Sequence, residues 1–235
     1  MKELDELYHT LQIIKGDKEL QLSPIPIFSF EGLPGAGKTT QIKLVSEVLN
    51  QKYGKSYYID LPTKSPVGKI MKSLYSEEQR WNDIRILSPW FNPVMISTDL
   101  RIAINKATDE GAKYAFMSRG VLSTYYYNLD AYDSDENIAW DKMQDHMKAF
   151  YMPAAIIFMD IPEEMAYERV VKRNRGPLRK MDEVGEMRKD KIHLQNYLSR
   201  LSNIPVYYID AVGTEEEVTK RIIRKIEGYL KIWEK

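Results

Sequence analysis

The chain has 235 residues, enough for one domain with a well-buried core, and it holds no cysteine and only three histidines, His9, His146 and His193. A disulfide framework and a thiolate zinc site are thereby excluded, which leaves the chemistry to oxygen and nitrogen groups. Thirty-four basic residues balance 34 acidic ones, so no net field draws the molecule to a nucleic-acid polymer or a membrane, and a local, phosphate-sized site stays open.

In chain order, Leu4, Leu7, Tyr8, Leu11 and Ile14 stand at helical spacing, and Gly16, Pro24 and Pro26 close the segment. Residues 1–24 are therefore expected to form an appended helical extension before a domain spanning 25–235. Ile25 to Phe30 is a short apolar run, followed by a glycine-rich turn and then Thr39 to Asn50 with Ile42, Val45 and Leu49 at helical period. That is strand, loop, helix. Further strands are expected at Ser56–Ile59, Tyr114–Met117, Ala154–Met159 and Pro205–Ile209, with helical patterns between them. Ser76 with Gln79, Asp133 with Glu136, and Thr214 with Glu217 read as capping pairs, and Pro162 as a first-turn proline. Five strands separated by helices predict an α/β fold, a parallel sheet covered on both faces. The longest apolar runs, such as Ala154–Met159, fall far short of the ~18–20 residues of a membrane span. With an acidic opening, Met-Lys-Glu-Leu-Asp-Glu, this gives a cytoplasmic expectation.

Gly32-Leu33-Pro34-Gly35-Ala36-Gly37-Lys38-Thr39 fits G-x-x-x-x-G-K-[ST] and sits between a predicted strand and a predicted helix. Backbone amides must turn inward around a polyphosphate, which calls for glycines that tolerate unusual dihedrals and allow close approach. Gly32 through Thr40 would cradle the nucleotide phosphates, Lys38 would reach the outer ones, and Thr39 would offer its hydroxyl to Mg²⁺.

Phe30-Glu31-Gly32-Leu33-Pro34-Gly35-Ala36-Gly37-Lys38-Thr39-Thr40-Gln41 resembles the opening signature of thymidylate kinases. Pro62-Thr63-Lys64-Ser65, Ser118-Arg119-Gly120 with Ser123 and Tyr126-Tyr127-Asn128, Ile157 to Glu164 with Arg169 and Arg173, and Val206 to Ala211 resemble later segments of that family in the same order. The resemblance runs from about Pro26 to the C-terminus. It implies a P-loop NTPase fold with a five-stranded parallel sheet and an arginine-rich lid at about 173–183. It also implies a homodimer, and transfer of the ATP γ-phosphoryl to a nucleoside monophosphate, with dTMP the acceptor and Mg²⁺ the metal. On this reading Lys38, Arg119, Arg173 and Arg175 serve the transfer, joined in the lid by Arg169 and Arg179. Lys64, Arg101, Arg119 and Tyr127 contact the acceptor.

Three positions depart from the family. Pro34 stands where an acidic residue helps place the acceptor sugar; Ser118 replaces the Asp of the Asp-Arg pair, so that Asp60 or Asp160 would have to supply the charge near the metal; and the Phe and Arg of the base pocket have only Phe91 and Arg101 in the corresponding region. Two other readings stand beside this one. A deoxynucleoside kinase of the same fold would need a carboxylate base after the second strand, where Leu61 stands beside Asp60. A nucleotide-binding switch with little transferase activity would keep the loop and lose the acid.

Overall fold

The computed structural model describes residues 22–173, 178 and 182–233. The helical reading of residues 1–20, and Arg175 and Arg179 of the expected lid, lie outside those residues.

Five strands, β1 Ile27–Glu31, β2 Ser56–Asp60, β3 Tyr114–Ser118, β4 Ala155–Asp160 and β5 Val206–Asp210, form one sheet in the order β2-β3-β1-β4-β5, each pairing parallel. Parallel neighbours need crossovers, and helices supply them on both faces. The connecting elements are α1 Lys38–Tyr53, α2 Pro66–Tyr75, α3 Glu78–Leu87, α4 Phe91–Asp109, the short α5 Val121–Tyr126 and α6 Leu129–Tyr132, α7 Glu136–Met147, α8 Glu163–Arg173, α9 Val184–Arg200 and α10 Glu215–Trp233. β1 is buried along its whole length, which is why it reads as an apolar run up to Phe30 broken only by Ser29.

Alternation along the strands separates two cores. Phe28 and Phe30 of β1, with Tyr114 and Phe116 of β3, pack under Ile42, Val45 and Leu49 of α1 and Ile222 and Ile226 of α10. Register sets Phe28 beside Phe116, with ring centroids 5.9 Å apart. Ile27, Ala115 and Met117 point the other way, onto Leu100 and Ile104 of α4 and residues of α5, α7 and α9. Consequently Ser29 and Glu31 face the α4–α5 side, whereas Tyr58, Asp60 and Ser118 face the side covered by α1.

The predicted strands match to within a residue at either end except the first, which starts two residues later than read. The Thr214–Glu217 capping pair forms as expected: the Glu217 amide donates to Thr214 Oγ1 at 3.3 Å and the Thr214 amide to Glu217 Oε2 at 2.9 Å. Two other pairs are corrected. Ser76 ends α2 rather than opening α3, its hydroxyl turned back on the Ser73 carbonyl at 2.7 Å. The cap of α7 is Asp135, which accepts from the amides of Asn137 and Ile138, while Asp133 braces the Asp135 amide.

Candidate active site

The loop after β1 lies at the C-terminal edge of the sheet, where ligands bind in open parallel sheets. Gly32 has φ +129° and Gly35 φ +83°, and a Cβ on either would meet the Met159 carbonyl oxygen at 2.6 Å or that of Ala166 at 2.3 Å. Glycine is thus required both by dihedral and by the approach of β4 and α8. Lys38 folds over the loop, its ammonium donating at 2.8 Å to the carbonyls of Gly32 and Leu33. Burial, then the charge of Arg119, and more weakly Arg173, hold its pKa well below that of an ordinary lysine, with Glu31 opposing. Three cations thus converge at the mouth of the loop. Thr39 and Thr40 are exposed at the first turn of α1.

Arg119 follows β3 in a left-handed conformation, φ 66°, the sole such non-glycine among the described residues. Its amide bonds to the Phe30 carbonyl at 3.0 Å. The next amide, of Gly120, donates to Glu31 Oε1 at 2.7 Å, and the Ser123 hydroxyl to Glu31 Oε2 at 2.7 Å. A carboxylate at the end of β1, 1 % exposed, therefore fixes the turn that presents the arginine. The guanidinium bonds to the Tyr127 hydroxyl and lies 5.5 Å from that ring's centroid. Tyr126, beside it, donates to the buried Asp190 of α9. Burial first, then Glu186, raises the Asp190 pKa.

Lys64 is exposed on a loop that leaves β2 through a cis Leu61–Pro62 peptide. That loop is held by Asp99, a fully buried carboxylate in the middle of α4. It accepts from the Thr63 amide at 2.6 Å, the Thr63 hydroxyl at 2.6 Å and the Ser65 hydroxyl at 2.5 Å. Ser65 in turn caps α2 through the Gly68 amide at 3.0 Å.

Arg101, expected at the acceptor, is placed elsewhere. Its Nε donates to the Ala149 carbonyl at 2.7 Å and its guanidinium stacks 4.0 Å from the Tyr151 ring centroid, at the N-terminal end of β4 and away from the phosphate loop. The helix turn that would carry a base-pocket arginine points it into the core instead. Arg85 of α3 reaches the region that sequence reasoning did not single out, bonding to the Tyr127 carbonyl at 3.3 Å and pairing with Asp130.

On the other side of the loop is a cavity of about 440 Å³ lined by Gly35, Gly37, Thr40, Arg169, Arg173 and Gly213, among others. Arg169 donates to the Ala211 carbonyl at 3.4 Å. The β5–α10 turn and α8 thus wall a space beside the phosphate cradle. Its position was not legible in the sequence, although Gly213, with φ +118°, marks the turn.

The family model for thymidylate kinase matches residues 30–222. The chain belongs to the thymidylate kinase family. It is 30% identical to a probable thymidylate kinase of Archaeoglobus fulgidus over 88% of this chain and 97% of the relative. It is 25% identical to probable thymidylate kinase 1 of Saccharolobus solfataricus over 87% and 98%, and 25% identical to the thymidylate kinase of Legionella pneumophila over 85% and 93%. As a member of the family it is a nucleoside monophosphate kinase, a phosphotransferase with the parallel P-loop sheet described above. Among the described residues no helix is long and apolar enough to cross a membrane.

Proposed function

We propose that this kinase transfers the γ-phosphoryl of ATP to dTMP, with Mg²⁺. The observation that carries the reading is the convergence of Lys38, Arg119 and Arg173. Burial and the neighbouring charges of Arg119 and Arg173 lower the Lys38 pKa, and such a group of cations is at home where a polyanion will sit. Phosphoryl transfer asks for positioning and compensating charge rather than covalent help, and a monophosphate acceptor is already ionised, so no base is needed.

In this mechanism the donor base and ribose occupy the 440 Å³ cavity, and the amides from Gly35 to Thr40 take the phosphate chain. Lys38 leaves the carbonyls of Gly32 and Leu33 for the outer phosphates. Arg119 and Lys64 hold the acceptor phosphate, Tyr127 borders the acceptor nucleoside, and Arg173 closes from the end of α8. The hydroxyls of Thr39 and Ser118 are hard oxygen donors, which suit Mg²⁺. When bound, the ion neutralises charge developing between the two phosphates.

ADP formation from Mg-ATP against a panel of ribo- and deoxynucleoside monophosphates, with free nucleosides alongside, tests this. Stimulation by dTMP is expected, and Lys38→Ala should lower turnover by about 10²-fold or more with the fold intact. Turnover driven by nucleosides and not by monophosphates would shift the acceptor to a hydroxyl. ATP binding with no acceptor-stimulated turnover would leave a switch.

A further inference from the structure

The metal-organising acid of the family's Asp-Arg pair is Ser118 here, yet the structure places a carboxylate immediately beside it. In the parallel pairing of β2 with β3, Asp60 is the register partner of Ser118 and Tyr58 that of Phe116. Alternation puts Tyr58, Asp60, Phe116 and Ser118 on one face of the sheet. Phe116 packs in the same core as Ile42 and Val45 of α1, so this is the face toward the helix whose first turn carries Thr39. Asp60 and Ser118 thus end neighbouring strands on the face that turns toward α1, whose first turn carries Thr39.

The alternative acid is occupied. Asp160, at the end of β4, pairs with Lys191 of α9 at 2.7 Å, and the same ammonium holds the Ile161 carbonyl at 3.0 Å. It also lies across β1 from β3, on the far side of the loop. Asp60, by contrast, is exposed and makes no ion pair among the described residues. No group of three metal-binding side chains occurs among the described residues, so the ion has no ready-made cage.

We propose that Asp60 takes over the charge that Ser118 lacks, holding Mg²⁺ through its water shell from β2 instead of β3; this rests on the reading of the site as Mg-ATP-dependent. Neighbouring strands lie about 4.7–4.9 Å apart. A carboxylate moved one strand over falls short of the inner sphere, where Mg²⁺ ligands sit at ~2.0–2.1 Å, and within reach of the bound waters. Mg²⁺ keeps several of its waters and needs only one or two carboxylates beside the substrate phosphates, so an outer position is chemically sufficient.

The test is calorimetric titration of ATP over a series of free Mg²⁺ concentrations, with turnover as a second readout. It compares wild type, Asp60→Asn, Ser118→Asp and the double variant. In Asp60→Asn the tightening of ATP by Mg²⁺ should shrink by about tenfold, the lower end of what outer-sphere partners contribute. Affinity for metal-free ATP should stay the same or improve. The double variant, with the acid returned to β3, should recover the tightening. Equal Mg²⁺ dependence in wild type and Asp60→Asn would overturn the proposal, as would equal weakening with and without metal. Loss of nucleoside phosphorylation alone in Asp60→Asn would assign it as a base and also overturn it. A wild type that binds ATP no better with Mg²⁺ would instead sink the Mg-ATP reading itself, a failure visible without any variant.

Discussion

Glu31 shows how one side chain ties donor and acceptor together. It stands next to Gly32, so its backbone belongs to the phosphate loop, while its carboxylate holds Gly120 and Ser123, just after the turn that presents Arg119. Glutamine at 31 would still accept from the Gly120 amide and could donate to Ser123, keeping the shape and losing the charge that faces Lys38 and Arg119. Glu31→Gln should therefore retain the fold and ATP affinity and lose about five- to tenfold in kcat/KM for the acceptor, the difference between a charged and a neutral hydrogen bond. Glu31→Ala would strand a buried amide and two hydroxyls, those of Ser123 and Ser29, at about 1–3 kcal/mol each, and should lower the denaturant midpoint as well. Equal losses for ATP and acceptor in Glu31→Gln would mean that the carboxylate merely holds the core. Lys38 and Arg119 could be picked out in sequence because they sit in motifs. Glu31 sat inside the same motif with its role hidden, since Gly120 and Ser123 approach it only once β1 and β3 are neighbours. Arg101 misleads for the converse reason: a basic residue in the expected stretch of helix can lie on the wrong turn.

Among elements, the loop from Pro62 to Ser65 is the part of the acceptor site that depends most on a distant support. Its two hydroxyls and one amide converge on Asp99, and a Cβ at Gly68 would meet the Thr63 carbonyl oxygen at 2.4 Å, so α2 must pass this loop without a side chain. Asp99→Ala should release the loop that carries Lys64. Acceptor KM is expected to rise at least about tenfold while the ATP dissociation constant stays within about twofold, and unfolding should cost ~2–4 kcal/mol less through the groups left unpartnered. Steady-state kinetics with both substrates varied, beside a urea titration, separates these effects; an unchanged acceptor KM would remove the loop from acceptor binding. The sequence shows the helical period around Asp99 but not that this acid turns inward, because a buried charge within a helix looks like any other polar position until its partners are known. The caps obey the same division. Thr214 with Glu217 is a local exchange of two hydrogen bonds and is legible, whereas the start of α7 slid to Asp135 because three acids, Asp133, Asp135 and Glu136, compete for one helix end.

For the whole molecule, the order β2-β3-β1-β4-β5 places the phosphate loop between two buried neighbours, and the packing of α1 and α10 on one face and α4 on the other makes that central strand rigid. The three central strands and the fold class were readable because a strand buried on both faces leaves a mostly apolar run, and a parallel sheet needs helices between strands. The site's energetic coupling to the fold was not, because it depends on which charges end up together. The free protein bears Lys38, Arg119 and Arg173 close to one another, and a bound polyanion relieves that repulsion, so ligand should stabilise the domain as a unit. At a hundred times the dissociation constant, mass action gives about 2.7 kcal/mol, or roughly 5–10 °C in Tm for a chain of this size. Lys38 also fixes the sign of the pH dependence. Its pKa is lowered in the folded state by burial and by Arg119. The unfolded chain therefore binds more protons between the folded value and the ordinary lysine value, and the free protein gains stability as pH rises through that window. Bound phosphate favours the charged ammonium, so the ATP-induced shift in Tm should be fully present at the low end and shrink as pH climbs. Thermal scans of wild type and Lys38→Ala, with and without ATP, should show both trends in the wild type and neither in the variant; a shift independent of pH in the wild type would mean that Lys38 does not meet the phosphates.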